Sequence, residues 1–76
     1  MSRYIYKGNI DKLLRQNKAI TLDYKEGCLL DNMLIETKRG YMAIVETYAT
    51  PWASVYTLYF SKNEADIQAV WDKVAA

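Results

Sequence analysis

Cys28 is the only cysteine of this chain, and histidine is absent. One thiol cannot form an internal disulfide, and zinc sites draw on several Cys and His ligands at close spacing. A single domain of 76 residues thus has to fold without a staple, at a size where the core alone rarely supplies more than ~3–5 kcal/mol. Two routes remain: efficient packing, or burial against another chain. The hydrophobic fraction of 51% is slightly above the usual soluble range and suits either.

The same absence bears on chemistry. Histidine is the usual general base near neutral pH and the commonest metal ligand. No Cys–His or Ser–His pair can be assembled. Binding rather than catalysis is expected, with no cofactor and no metal.

The net charge is +1, too small for a global field that would steer the protein to nucleic acid. Charge is unevenly spread along the chain. Residues 1–25 hold Arg3, Lys7, Lys12, Arg15, Lys18 and Lys25 against Asp11 and Asp23, while residues 26–76 are acidic on balance. No apolar run approaches the ~18 residues of a membrane span. Residues 1–4 lack the apolar core of a signal peptide. A free cysteine then fits a reducing, cytoplasmic setting.

Aromatic and β-branched residues between charges predict a strand at 3–7. Gly8 ends it, and Asn9 caps a two-turn helix with Ile10, Leu13 and Leu14 spaced i, i+3, i+4. Residues 20–24 alternate, which predicts a strand with Ile20, Leu22 and Tyr24 on one face. Residues 28–30 read as a short strand or bridge between turns.

Residues 33–48 form a hairpin with Lys38-Arg39-Gly40 as a three-residue tip, Gly40 supplying a positive φ. That register pairs Thr37 with Tyr41, Ile35 with Ala43 and Met33 with Val45. A further strand, 54–60, follows the turn at Pro51. Ser61 and Glu64 form a capping box for a last helix whose stripe is Ile67, Val70, Trp71 and Val74. The expected fold is α+β: a small antiparallel sheet of four to five strands, with a short N-terminal helix and a C-terminal amphipathic helix packed on it.

In that register both sheet faces hold large apolar groups, and a two-turn helix is short for covering one of them. The uncovered remainder would be an apolar patch flanked by tyrosines, and such patches mark interaction surfaces. The residues expected at this surface are Met42, Ile44, Tyr48, Tyr56 and Tyr59. Trp52, after Pro51 at a loop tip, would join Tyr48 and Tyr56 in an aromatic cluster. An unstapled chain with two apolar sheet faces is also expected to form a homodimer.

Other chemistry is poorly served. Asp31, Glu36 and Glu46 read as solvated carboxylates, since no spacing among them resembles a metal loop. Cys28 reads as a buried structural thiol. Asp11 opposes an anion at the start of the first helix. A nucleic-acid surface is the alternative, with Tyr4 and Tyr6 stacking bases and Arg3 and Lys7 tracking phosphates. Against it stand the near-zero net charge and the absence of the aromatic motif of the RRM sheet.

The expected function is therefore that of a non-enzymatic protein-binding module. Tiny one-domain proteins of this make-up are typical accessory products of phages and mobile elements. They often act as inhibitors, occupying the surface of a larger enzyme such as a nuclease.

Overall fold

Five strands pair antiparallel in the order β1-β5-β4-β3-β2. They are β1 (Ser2–Lys7), β2 (Ile20–Lys25), β3 (Asn32–Thr37), β4 (Gly40–Thr50) and β5 (Ala53–Ser61), with helix α1 (Ile10–Gln16) after β1 and helix α2 (Glu64–Lys73) after β5. The computed structural model describes residues 1–27, 31–50 and 53–74, with backbone alone at 48–50, 53 and 54. The α+β class and the antiparallel sheet are as expected. The bridge expected at 28–30, Cys28 and Trp52 lie outside the described residues.

The β3–β4 hairpin differs from the expected register by one residue. Thr37 stands opposite Gly40, Ile35 opposite Met42, Leu34 opposite Ala43 and Met33 opposite Ile44. The loop is the two residues Lys38-Arg39. The Thr37 hydroxyl tightens it, accepting from the Arg39 N–H and donating to the Gly40 carbonyl, each at 3.2 Å. Gly40 does have a positive φ, +155°, but within β4 rather than at a loop tip. A Cβ there would lie 2.6 Å from the Ser61 carbonyl oxygen, so glycine lets β4 begin against the end of β5. A one-residue slip exchanges the faces of a strand. Met42 and Ile44 therefore join Ile35 instead of opposing it.

Both sheet faces carry a helix. On one, the buried set Ile35, Met42, Ile44, Tyr56 and Leu58 is covered by Ile10, Leu13 and Leu14 of α1 and by Ala19, Tyr6, Met33 and Phe60. On the other, Leu34 and Ala43 pack with Ile67 and Trp71 of α2, flanked by Tyr41, Tyr59, Val70 and Val74. Complete burial of Ile67 and Trp71 is worth roughly 1.5–3 kcal/mol for each such side chain. The two apolar sheet faces on which the homodimer expectation rested are thus each packed against a helix.

Local signals explain how so short a helix as α1 holds. Asn9 caps it, its side-chain oxygen accepting from the Lys12 N–H at 3.2 Å. At the other end the Lys18 N–H reaches the Arg15 carbonyl and the Ala19 N–H the Leu14 carbonyl. This is the paired-bond Schellman ending. Lys18 sits at its left-handed position with φ +49°, and Ala19 and Leu14 share the hydrophobic cluster.

Helix α2 starts two residues later than a Ser61 cap implies. Asn63 is the N-cap and accepts from the Ala65 N–H at 3.0 Å. Ser61 supports it from behind, accepting from the Asn63 N–H and donating to Asp66 Oδ2. The expected Ser61–Glu64 box is replaced because β5 runs through Ser61.

Candidate functional site

Among the described residues, strand β2 is an edge of the sheet and pairs only with β3. Its register skips Leu22: Thr21 stands opposite Ile35 and Asp23 opposite Leu34. The extra residue makes a bulge, which twists an edge and interrupts its ladder. The alternation is therefore broken. Ile20 lies opposite Glu36, on the α2 side, and Tyr24 opposite Met33, on the α1 side. The expected shared face of Ile20, Leu22 and Tyr24 does not form.

The bulge turns two charged residues toward α2. Asp23 Oδ2 accepts from the Trp71 indole N–H at 3.0 Å, and Asp23 Oδ1 accepts from the Tyr24 N–H at 2.8 Å. The Trp71 bond first, then the Tyr24 bond and the Lys25 charge, hold this carboxyl below its ordinary value of 3.8. Lys25 Nζ sits 4.9 Å from the centroid of the Trp71 ring. It donates to the Trp71 carbonyl, and to the Val74 carbonyl at 2.9 Å. A cation there satisfies orphan carbonyls at the helix end and meets the negative pole of the helix dipole. The outermost strand is thus tied to the last helix by three side-chain bonds and a cation–π contact.

Three large apolar side chains of β2 are also left outside. Ile20 is 62% exposed, Leu22 44% and Tyr24 60%. These three large side chains run along a free edge and reach toward both faces. They form a ridge rather than a plane. The bulge disfavours simple addition of a strand to the edge.

The residues expected at an interface are dispersed. Met42, Ile44 and Tyr56 are buried beneath α1, as a consequence of the hairpin register and of the cover that α1 supplies, and offer no surface. Tyr59 is half-buried and packs against the α2 cluster. Tyr48 is described only by its backbone pairing with Val55. The set Arg3, Tyr4, Tyr6 and Lys7 is split by alternation. Tyr4 and Tyr6 stand opposite Leu58 and Tyr56 on the α1 side, while Arg3 and Lys7 stand opposite Tyr59 and Val55 on the other. Tyr6 is further committed, its hydroxyl donating to the Asn9 carbonyl at 3.1 Å.

Glu36, beside Tyr41, and Glu46, opposite Tyr56, fall on different sides of the sheet; Asp31 is exposed. The β2 ridge was missed because an unbulged alternation makes Ile20, Leu22 and Tyr24 look like a core face. The missed signal is Asp23 and Lys25, which a plain edge strand would turn to water.

Among the described residues, no helix is long and apolar enough to cross a membrane. Comparison of the chain with protein-family models, with curated proteins and with solved structures gives no match.

Proposed function

We propose that this chain is a non-enzymatic protein-binding module, a small accessory or inhibitor protein that acts by occupying the surface of a larger protein. The contact is the β2 ridge of Ile20, Leu22 and Tyr24. One observation carries the reading: these side chains are exposed on a strand that Asp23 and Lys25 fasten to α2 from within. An apolar ridge held in place in the free protein loses little conformational freedom on docking, which favours affinity. Large apolar groups gathered on an edge mark an interaction site more often than scattered ones do. The absence of histidine from the sequence is in keeping with blocking rather than chemistry.

Site-specific photocrosslinking tests it. A photoreactive amino acid at position 22 is expected to give a discrete covalent adduct with one host protein, in lysate treated with nuclease. The same group at the exposed position 72 on α2 should give none. Equal labelling from both positions, or none from position 22, would remove the ridge as the contact.

A further inference from the structure

On the α1 side, the loop after α1, the β3–β4 turn and the ends of β1 and β5 enclose an open groove of about 650 Å³, lined in part by Tyr4, Lys38, Arg39, Phe60 and Lys62. A smaller depression of about 340 Å³ adjoins it, shares Lys38 and Arg39, and adds Lys18. Four cations therefore edge one continuous track, and no carboxylate lines either part. The nearby acids lie across the sheet. Glu36 and Glu64 approach Tyr41 and raise its hydroxyl above the ordinary value, and Tyr41 belongs to the α2 cluster.

The floor is aromatic. Ser2 stands opposite Phe60 and Tyr4 opposite Leu58, which makes Tyr4 and Phe60 diagonal neighbours on one face, within reach of each other for rings of this size. Tyr4 is 45% exposed and Phe60 half-buried. Exposed rings beside cations are how single strands are held: bases stack on the rings, and Lys and Arg follow the phosphates. An acidic peptide would use the cations and leave the rings idle. A closed pocket would suit a lone nucleotide, whereas this groove is open and runs on into its neighbour.

We infer that the groove of Tyr4, Phe60, Lys18, Lys38, Arg39 and Lys62 binds single-stranded nucleic acid. It differs from the basic set suggested by the sequence, because Arg3 and Lys7 face away and the turn residues Lys38 and Arg39 take their place. The site shares no residue with the β2 ridge, so the protein-binding reading can fail without touching it.

Fluorescence anisotropy with labelled oligothymidine and oligouridine of about twelve nucleotides tests the inference. Binding is expected at about 50 mM salt, with a log–log salt slope approaching about −3 for four phosphate contacts on a single strand. Lys38→Ala with Arg39→Ala should flatten that slope by about 1.4, since each lost contact removes ~0.7. Tyr4→Ala should weaken binding about tenfold and leave the slope unchanged. The Lys38 and Arg39 side chains are exposed on a turn, and circular dichroism is expected to show both variants folded. Absence of binding by the wild type would overturn the inference. So would full competition by thymidine monophosphate, which means a nucleotide pocket, or by poly-glutamate, which means an unspecific basic patch. Unchanged affinity in the folded Tyr4→Ala variant would overturn it equally.

Discussion

The Trp71 indole N–H donates to Asp23 Oδ2 at 3.0 Å, joining the last helix of the chain to the outermost strand of the sheet. Trp71 is almost fully buried, while Asp23 is exposed. A buried indole usually needs a partner for its N–H, and here that need draws an edge strand inward. The bulge at Leu22 makes the approach possible by shifting Asp23 and Lys25 to the α2 side.

This bond makes stability depend on pH in acid. The Asp23 carboxyl is held below 3.8 in the fold, chiefly by the Trp71 bond, and returns to its ordinary value on unfolding. A lowered folded value means the contribution is fully present above the unfolded pKa and is lost as pH falls through the folded one. Asp23→Asn keeps an acceptor for the indole but has no charge to lose. Urea melts are expected to show wild type more stable than Asp23→Asn at about pH 6, with the gap narrowing steadily below 3.8. A gap that stays constant down to about pH 2.5 would show that the carboxylate charge plays no part.

Gly40 is where two backbones meet. An alanine Cβ would stand 2.6 Å from the Ser61 carbonyl oxygen and 3.0 Å from the Lys62 Cα, at a φ of +155°. Both neighbours are backbone and cannot swing aside. Gly40→Ala is expected to cost on the order of 2 kcal/mol or more, read as a lower urea midpoint at unchanged slope. Gly8→Ala serves as the comparison, because the nearest atoms there belong to the movable end of Tyr6. A smaller loss at Gly40 than at Gly8 would contradict the close approach of β4 and β5.

Lys18 holds the left-handed position that ends α1. A side chain there costs ~1–2 kcal/mol, which glycine avoids at a smaller cost in chain entropy. Lys18→Gly should therefore raise stability by about 0.5 kcal/mol. The same change removes one cation from the groove, so it should flatten the salt slope of oligonucleotide binding by about 0.7. Stability gained with the slope intact would place Lys18 outside the phosphate track.

How much of this was legible in the sequence differs from element to element. The stripe Ile67, Val70, Trp71 and Val74 named the buried side of α2, because a period of 3.6 survives in ten residues. The antiparallel α+β plan followed from turn residues and alternation. Registers were harder. Gly40 shows a positive φ whether it sits at the tip of a three-residue loop or starts a strand, and only its contact with Ser61 separates the two. The bulge at Leu22 leaves the same alternation in the sequence as an unbroken strand. These two one-residue differences moved Met42 and Ile44 into the core and Ile20, Leu22 and Tyr24 to the edge. The cap at Asn63 was hidden for a similar reason: Ser61 has the right chemistry, but β5 extends through it. The groove brings together Tyr4, Lys38, Arg39 and Lys62, which lie far apart in the chain and meet only through sheet order.

Asp23 and Lys25 fasten β2 to α2, and the proposed binding surface is the exposed ridge of Ile20, Leu22 and Tyr24 on the same strand. Leu22→Lys and Trp71→Ala, compared for melting temperature and for pull-down of the protein identified by crosslinking, test that proposal most directly. Leu22→Lys changes an exposed residue, so its stability should stay within ~0.5 kcal/mol of wild type while capture is lost. Trp71→Ala empties the core between α2 and the sheet and should cost ~3–5 kcal/mol, taking fold and capture together. A Leu22→Lys protein that melts like wild type and still captures the partner would contradict the claim that the β2 ridge is the binding surface.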